Sequence, residues 1–169
     1  MNITIKNVKH SEFASHETHC FECTVYVDNK RFCLASNDGQ GGPDNHYPLK
    51  GQTNSSLQKQ INAFDFGTHE FMGTTFPITL ETIVGERINE YLLDKDIKRT
   101  LRKITYVKNG EVYTVAATFK PTTINLERIK TAKWWKPEYI MLNGMPISEI
   151  RKYFSVKRVL FVANTSDQT

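Results

Sequence analysis

The stretch CFECTVYVDNKRFCLAS, residues 20–36, sets two apolar runs on either side of a polar tip. Val, Tyr and Phe with an intervening Asp-Asn-Lys-Arg read as two antiparallel strands joined by a tight turn. With Asn29-Lys30 at the turn, Val27 stands opposite Phe32 and Val25 opposite Leu34 on one face. Asp28 then meets Arg31 near the tip, and Tyr26 meets Cys33 on the other face. A slip of one residue would send every side chain to the wrong side, so the apolar pairs select this register.

Working outward, Ile3 and Ile5 alternate with Thr4 and Lys6, which predicts a strand over residues 2–8. C-terminal to the hairpin, residues 36–48 hold three glycines and two prolines and predict no regular element. Leu57, Ile61 and Phe64 are spaced four and three apart, the mark of a short helix over 55–64. Residues 67–77 read as an irregular, aromatic-rich connection. The longest helical pattern runs from Thr79 to about Lys103, with Leu80, Ile83, Val84, Ile88, Tyr91 and Leu92 on one stripe that Ile97, Leu101 and Ile104 continue. Asp94-Lys95-Asp96 is a place where it could kink.

A second hairpin over 104–117 is signalled by Asn109-Gly110, a pair suited to the positive φ of a two-residue turn. Thr122 or Thr123 can cap a helix reaching about Trp135 and stopping before Pro137. A strand over 139–142, a helix from Pro146 to Phe154, a strand over 156–163 and a polar tail over 164–169 complete the chain. The fold class is α+β, with mostly antiparallel strands in two hairpins packed with three or four helices. One domain over residues 1–163 is expected.

The 169 residues are 39% hydrophobic and 11% aromatic, enough for a packed core. No apolar run approaches the roughly 20 residues that span a bilayer, so no membrane role is expected. The N-terminus reads as a strand and not as a signal peptide. Three cysteines, Cys20, Cys23 and Cys33, are too few for a disulfide framework, and the expected location is cytoplasmic with reduced thiols.

Charge divides the chain. Residues 1–94 hold 7 Lys/Arg against 12 Asp/Glu, whereas residues 95–158 hold 15 against 5. Lys95, Lys98, Arg99, Arg102 and Lys103 recur at helical spacing and can track phosphates, although a solvated face opposite an apolar stripe looks the same. Lys130, Lys133 and Lys136 surround Trp134 and Trp135, a combination of charge and stacking surface that suits nucleic acid or a protein interface. Adjacent helical residues point about 100° apart, so the two indoles are expected to diverge, one or both into the core.

Chemistry has weaker signals. Asp38, Asp44 and His46 lie on the glycine-rich segment and could act as acid and base or hold a hard metal; a turn whose Asn and Asp cap their own backbone fits the same residues. His16, His19, Cys20 and Cys23 suggest zinc, but strand geometry sends Cys20 and Cys23 to opposite faces, so no metal and no cofactor is expected. All five histidines precede residue 95. Any chemistry therefore belongs to the acidic half, and the basic half is the expected binder.

The run from Cys20 to Arg31, the Ser36-Asn-Asp-Gly-Gln-Gly-Gly that follows, and the Trp134-Trp-Lys-Pro-Glu-Tyr and Leu142-Asn-Gly-Met-Pro segments resemble small proteins of bacteriophages and bacterial mobile elements. No role attaches to those motifs. The resemblance implies a context, an accessory protein of a phage, including one that blocks a host defence. The expected function is non-enzymatic binding through the basic half, to nucleic acid or to an acidic surface of a host protein that handles it. The alternatives are a metal-dependent hydrolase or nuclease centred on the glycine-rich segment, and a pure protein–protein inhibitor or assembly factor.

Overall fold

The computed structural model describes residues 1–115 and 119–154. The expected strand over 156–163, the tail over 164–169 and the last residues of the second hairpin lie outside them. The architecture is α+β with antiparallel sheets throughout. The chain forms two compact units, Met1–Glu90 and a second beginning at Tyr91. The domain expected over 1–163 takes in both.

In the first unit, β1 (Ile3–Ser11), β2 (Cys20–Val27), β3 (Lys30–Asn37) and β4 (Asn45–Tyr47) form a sheet in chain order. The hairpin of β2 and β3 has a different register from the expected one. Its turn is Asp28-Asn29, both at positive φ (47° and 64°), so Val27 pairs with Lys30 and Tyr26 with Arg31. A bulge follows, and Val25 meets Cys33, with both side chains fully buried, while Leu34 is left exposed. Asp28 also ties the turn to the chain start: its amide donates to the Asn2 carbonyl (2.8 Å), and Asn2 N donates to its carboxylate (2.7 Å). These two bonds favour Asp28 within the turn over the paired position that side-chain matching gave it.

The segment expected to lack regular structure holds the end of β3 and the short strand β4, whose His46 pairs with Ala35. α1 (Asn54–Ala63) is capped by Thr53, whose hydroxyl accepts from Ser56 N (3.1 Å), and it buries Leu57. Residues 67–77 are not irregular. β5 (Thr68–Phe71) and β6 (Thr74–Pro77) make a separate hairpin turning at Met72-Gly73. All eight of its strand residues are exposed, with Phe71 at 63% and the turn residue Met72 at 89%. With neither face buried, it carries no inside–outside alternation from which to read a strand.

α2 (Leu80–Thr100) is one continuous helix through Asp94-Lys95-Asp96. Its first half buries Leu80, Val84 and Ile88 in the first unit, where Arg87 Nε donates to the Ile3 carbonyl (3.1 Å). Its second half belongs to the second unit. There β7 (Thr105–Lys108) pairs with β8 (Glu111–Thr114) around Asn109-Gly110, and with β9 (Ile140–Met141) on its other side. α3 (Thr123–Lys130) is capped by the Thr122 hydroxyl. A fourth helix, α4, covers 147–154.

The core of the second unit is Ile97, Val107, Leu142, Ile150 and Phe154. Arg151 forks onto Asp94 at 2.8 and 2.9 Å, joining α4 to α2. Asn143 closes the layer: its carbonyl oxygen accepts from Thr105 N (2.6 Å), and its amide nitrogen donates to the Leu101 and Lys103 carbonyls. Among the described residues no helix is long and apolar enough to cross a membrane.

Candidate functional site

Two places in the molecule gather the residues the sequence singles out. The first lies on the second unit's sheet. Along β7, Thr105 and Val107 are buried while Tyr106 and Lys108 are half-buried, so alternation turns Tyr106 away from the core that Val107 enters. The Asn109-Gly110 turn sets Tyr113 directly across from Tyr106, and the two rings stack at 5.8 Å.

Tyr106 is the centre of a larger group. Its ring also meets Trp134 at 5.7 Å, Trp135 at 5.5 Å and Tyr139 at 5.7 Å. The indoles contact each other at 5.9 Å, edge to face. They converge and do not diverge, because α3 stops at Lys130 and not near Trp135. Thr131 caps it, and the chain then turns, with Trp135 N donating to the Ala132 carbonyl (2.9 Å). Trp134 remains 45% exposed and Tyr113 38% exposed.

Lys108 adds a cation, its Nζ lying 6.0 Å from the Tyr113 ring centre and 5.8 Å from that of Tyr139. Lys133 and Lys136, the sequence neighbours of the indoles, are exposed. Glu111 accepts from the Tyr113 hydroxyl (2.6 Å), and that bond first of all holds the phenol proton above its ordinary pKa. Lys130 sits on α3 and pairs with Glu127 at 3.0 Å.

The other basic group does not join this face. Lys95, Lys98 and Arg99 are exposed on the side of α2 opposite Leu93, Ile97 and Leu101, the residues facing the core. Arg99 pairs with Asp96 at 2.7 Å. Helix geometry ends at Thr100, so Arg102 and Lys103 lie in the closing turn. α2 covers the side of the sheet that Val107 enters and Tyr106 turns to the other, which places Lys95, Lys98 and Arg99 away from the rings.

The second place is the glycine-rich segment of the first unit, organised by Asn37, which is buried. Its carbonyl oxygen accepts from Thr18 Oγ1 and Gly39 N, both at 2.8 Å, and its amide nitrogen donates to the Gly42 carbonyl and Asp44 Oδ1, both at 2.9 Å. The Gly39 carbonyl in turn accepts from the amides of His16, Glu17 and Thr18. Asp38 is exposed, accepts from Gln40 N (3.1 Å) and opens onto a cleft with Lys9, Cys20 and Tyr47.

Asp44 faces a different cleft, of about 240 Å³, with Thr18, His19, Glu81, Gly85 and Asn89. Asp38 is thus set apart from Asp44 and His46, which remain close. Asp44 Oδ2 and His46 Nε2 are both buried without a hydrogen-bond partner among the described residues. Burial chiefly raises the Asp44 carboxyl above its ordinary range, opposed by the Asn37 hydrogen bond. Burial likewise lowers His46, against the pull of Asp44 and Glu81.

Cys23 is pushed up to about 12, first by burial and then by Asp44; Cys33 is pushed up to about 12, first by burial and then by Cys23. Both thiols are therefore protonated and poor nucleophiles. Cys20 is half-buried and Cys23 buried on their separate strand faces, while His10 and His19 pack edge to face at 5.4 Å. Among the described residues no three His, Cys, Asp or Glu side chains are placed to hold a metal ion.

Tyr106, Tyr113 and Tyr139 escaped the sequence reading of the site. One signal was present: a turn at Asn109-Gly110 puts residue 106 across from 113. No known protein family, no curated protein and no solved structure matches the chain.

Proposed function

We propose that this chain is a non-enzymatic binding protein whose second unit engages nucleic acid through the ring-and-lysine face built on Tyr106. The observation that supports it is the convergence of five aromatic rings outside the core, with Trp134 exposed and Lys108 at two of the rings. Stacked rings with flanking cations suit bases and phosphates together. The resemblance to phage and mobile-element proteins supplies the setting, an accessory or counter-defence role in the host cytoplasm.

The test is direct binding of a mixed pool of RNA, single-stranded DNA and duplex DNA at low salt. It is paired with pull-downs from host lysate with and without nuclease. Binding of the pool, and capture that nuclease abolishes, are expected. A chain that ignores every nucleic acid at low salt refutes the proposal.

A second reading, a protein–protein inhibitor or assembly factor, rests on a separate observation. The β5–β6 hairpin exposes Phe71, Met72 and Phe76 with no core of its own, a surface suited to a protein partner. Nuclease-resistant capture lost in Phe71→Ser/Met72→Ser would favour it.

A further inference from the structure

We infer that the nucleic acid taken by the Tyr106 face is single-stranded, held by stacking with few phosphate contacts and without the cations of α2. The inference rests on the reading above and adds to it the form of the ligand. Three observations carry it.

The first is the kind of surface. What the face offers is aromatic: Trp134 and Tyr113 are exposed, and each packs on Tyr106 behind it. A ring gains most from the flat side of a base. In a duplex those sides are covered by neighbouring bases, and the rings would meet only edges and backbone. In a single strand every base has a free π-face, and stacking is tolerant of sequence.

The second is local charge. The lysines on or beside the rings are Lys108, Lys133 and Lys136, and Glu111 and Glu138 lie among them in sequence. Duplex binding of the usual sort draws on many phosphate contacts. Three lysines accompanied by two acids make a poor surface for it.

The third is the layer arrangement. Lys95, Lys98 and Arg99 stand on the far side of α2, which itself covers the opposite side of the sheet from Tyr106. A strand lying across the rings does not reach them. The positive charge of residues 95–158 is therefore not gathered at the rings: Lys95, Lys98 and Arg99 lie on the far side of α2, and Lys108, Lys133 and Lys136 lie on or beside the rings.

The experiment measures anisotropy of a labelled oligothymidylate of roughly a dozen nucleotides and of its duplex with oligodeoxyadenylate, at about 50 and 200 mM salt. The single strand is expected to bind more tightly than the duplex. Its log K should fall with log salt at a slope of about −2, the value for roughly three phosphates on a single strand. Trp134→Ala should weaken single-strand binding about tenfold or more, and Trp134→Phe should retain most of it. Lys98→Glu/Arg99→Glu should leave single-strand affinity unchanged. Thermal melts confirm that each variant is folded.

Duplex binding as tight as single-strand binding overturns the inference while leaving nucleic-acid binding intact. So does loss of binding in Lys98→Glu/Arg99→Glu with Trp134→Ala neutral. Failure of both probes to bind at low salt removes the inference together with the reading beneath it.

Discussion

Replacing Asn37 tests whether the glycine-rich segment is organised by one side chain. The buried amide makes four hydrogen bonds: two accepted, from Thr18 and Gly39, and two donated, to Gly42 and Asp44. At about 1 kcal/mol for each of the three neutral bonds and about 1.5–3 kcal/mol for the one to a carboxylate, Asn37→Ala should cost about 4.5–6 kcal/mol. Asn37→Asp has the same shape and keeps the accepting oxygen, yet it should be worse. It deletes both donated bonds and sets a second carboxylate against Asp44 where 2.9 Å now separates donor from acceptor. At an effective dielectric near 20, two charges about 3 Å apart repel by roughly 5 kcal/mol, comparable with the whole stability of a small domain.

Adding Asp44→Asn should recover at least about 2 kcal/mol, because the new amide can donate to the new carboxylate. Acid should also narrow the gap between the Asp and Ala variants, since a protonated carboxyl ends the repulsion. Far-UV circular dichroism melts, with hydrogen exchange at the Gly39 amide, report this unit; both tryptophans lie in the other. Asn37→Asp within about 1 kcal/mol of the parent, or no recovery in the double variant, would refute the reasoning.

The pH dependence of the first unit follows from His46. Its folded pKa is lowered by burial, so the unfolded chain binds the proton first, and stability present above about pH 6.5 should fall as acid is added. His46→Gln should flatten that part of the profile in pH-dependent melts. Asp44 has the opposite sign: its raised folded pKa makes the native state bind the proton first, returning some stability as pH drops toward its ordinary value near 3.8. The glycines divide cleanly. Gly39→Ala should destabilise by more than about 2 kcal/mol, because its φ is +86° and a Cβ would strike the Ala14 carbonyl oxygen. Gly85→Ala, inside α2 with nothing within 4 Å of the new carbon, should raise stability by about 0.5–1 kcal/mol, read as a higher Tm.

The sequence made some of this legible. The α2 stripe, the α1 helix and the Asn109-Gly110 hairpin each carry a local signal that agrees with the tertiary packing. The first hairpin's register was hidden because it depends on positive φ at Asp28 and Asn29 and on a bulge, neither of which apolar pairing reveals. The end of α3 was hidden too, since Thr131 closes it with ordinary helical angles and no glycine marks the stop. That concealed end hid the site, because the two indoles meet only where the helix has already ceased. The split of the basic residues is a layer property. Spacing shows which lysines share a helix face, but only the sheet shows what lies on the other side.

The β5–β6 hairpin has a consequence for how such a chain can change over generations. Its strand residues are all exposed, and among the described residues each pairs only with its own partner strand. A substitution at Phe71 or at Phe76, whose ring stacks only on His69 of the same hairpin among the described residues, therefore disturbs neither core. What happens to those side chains is left to whatever meets them. The hairpin can therefore be rewritten for a new encounter while the two cores stay as they are.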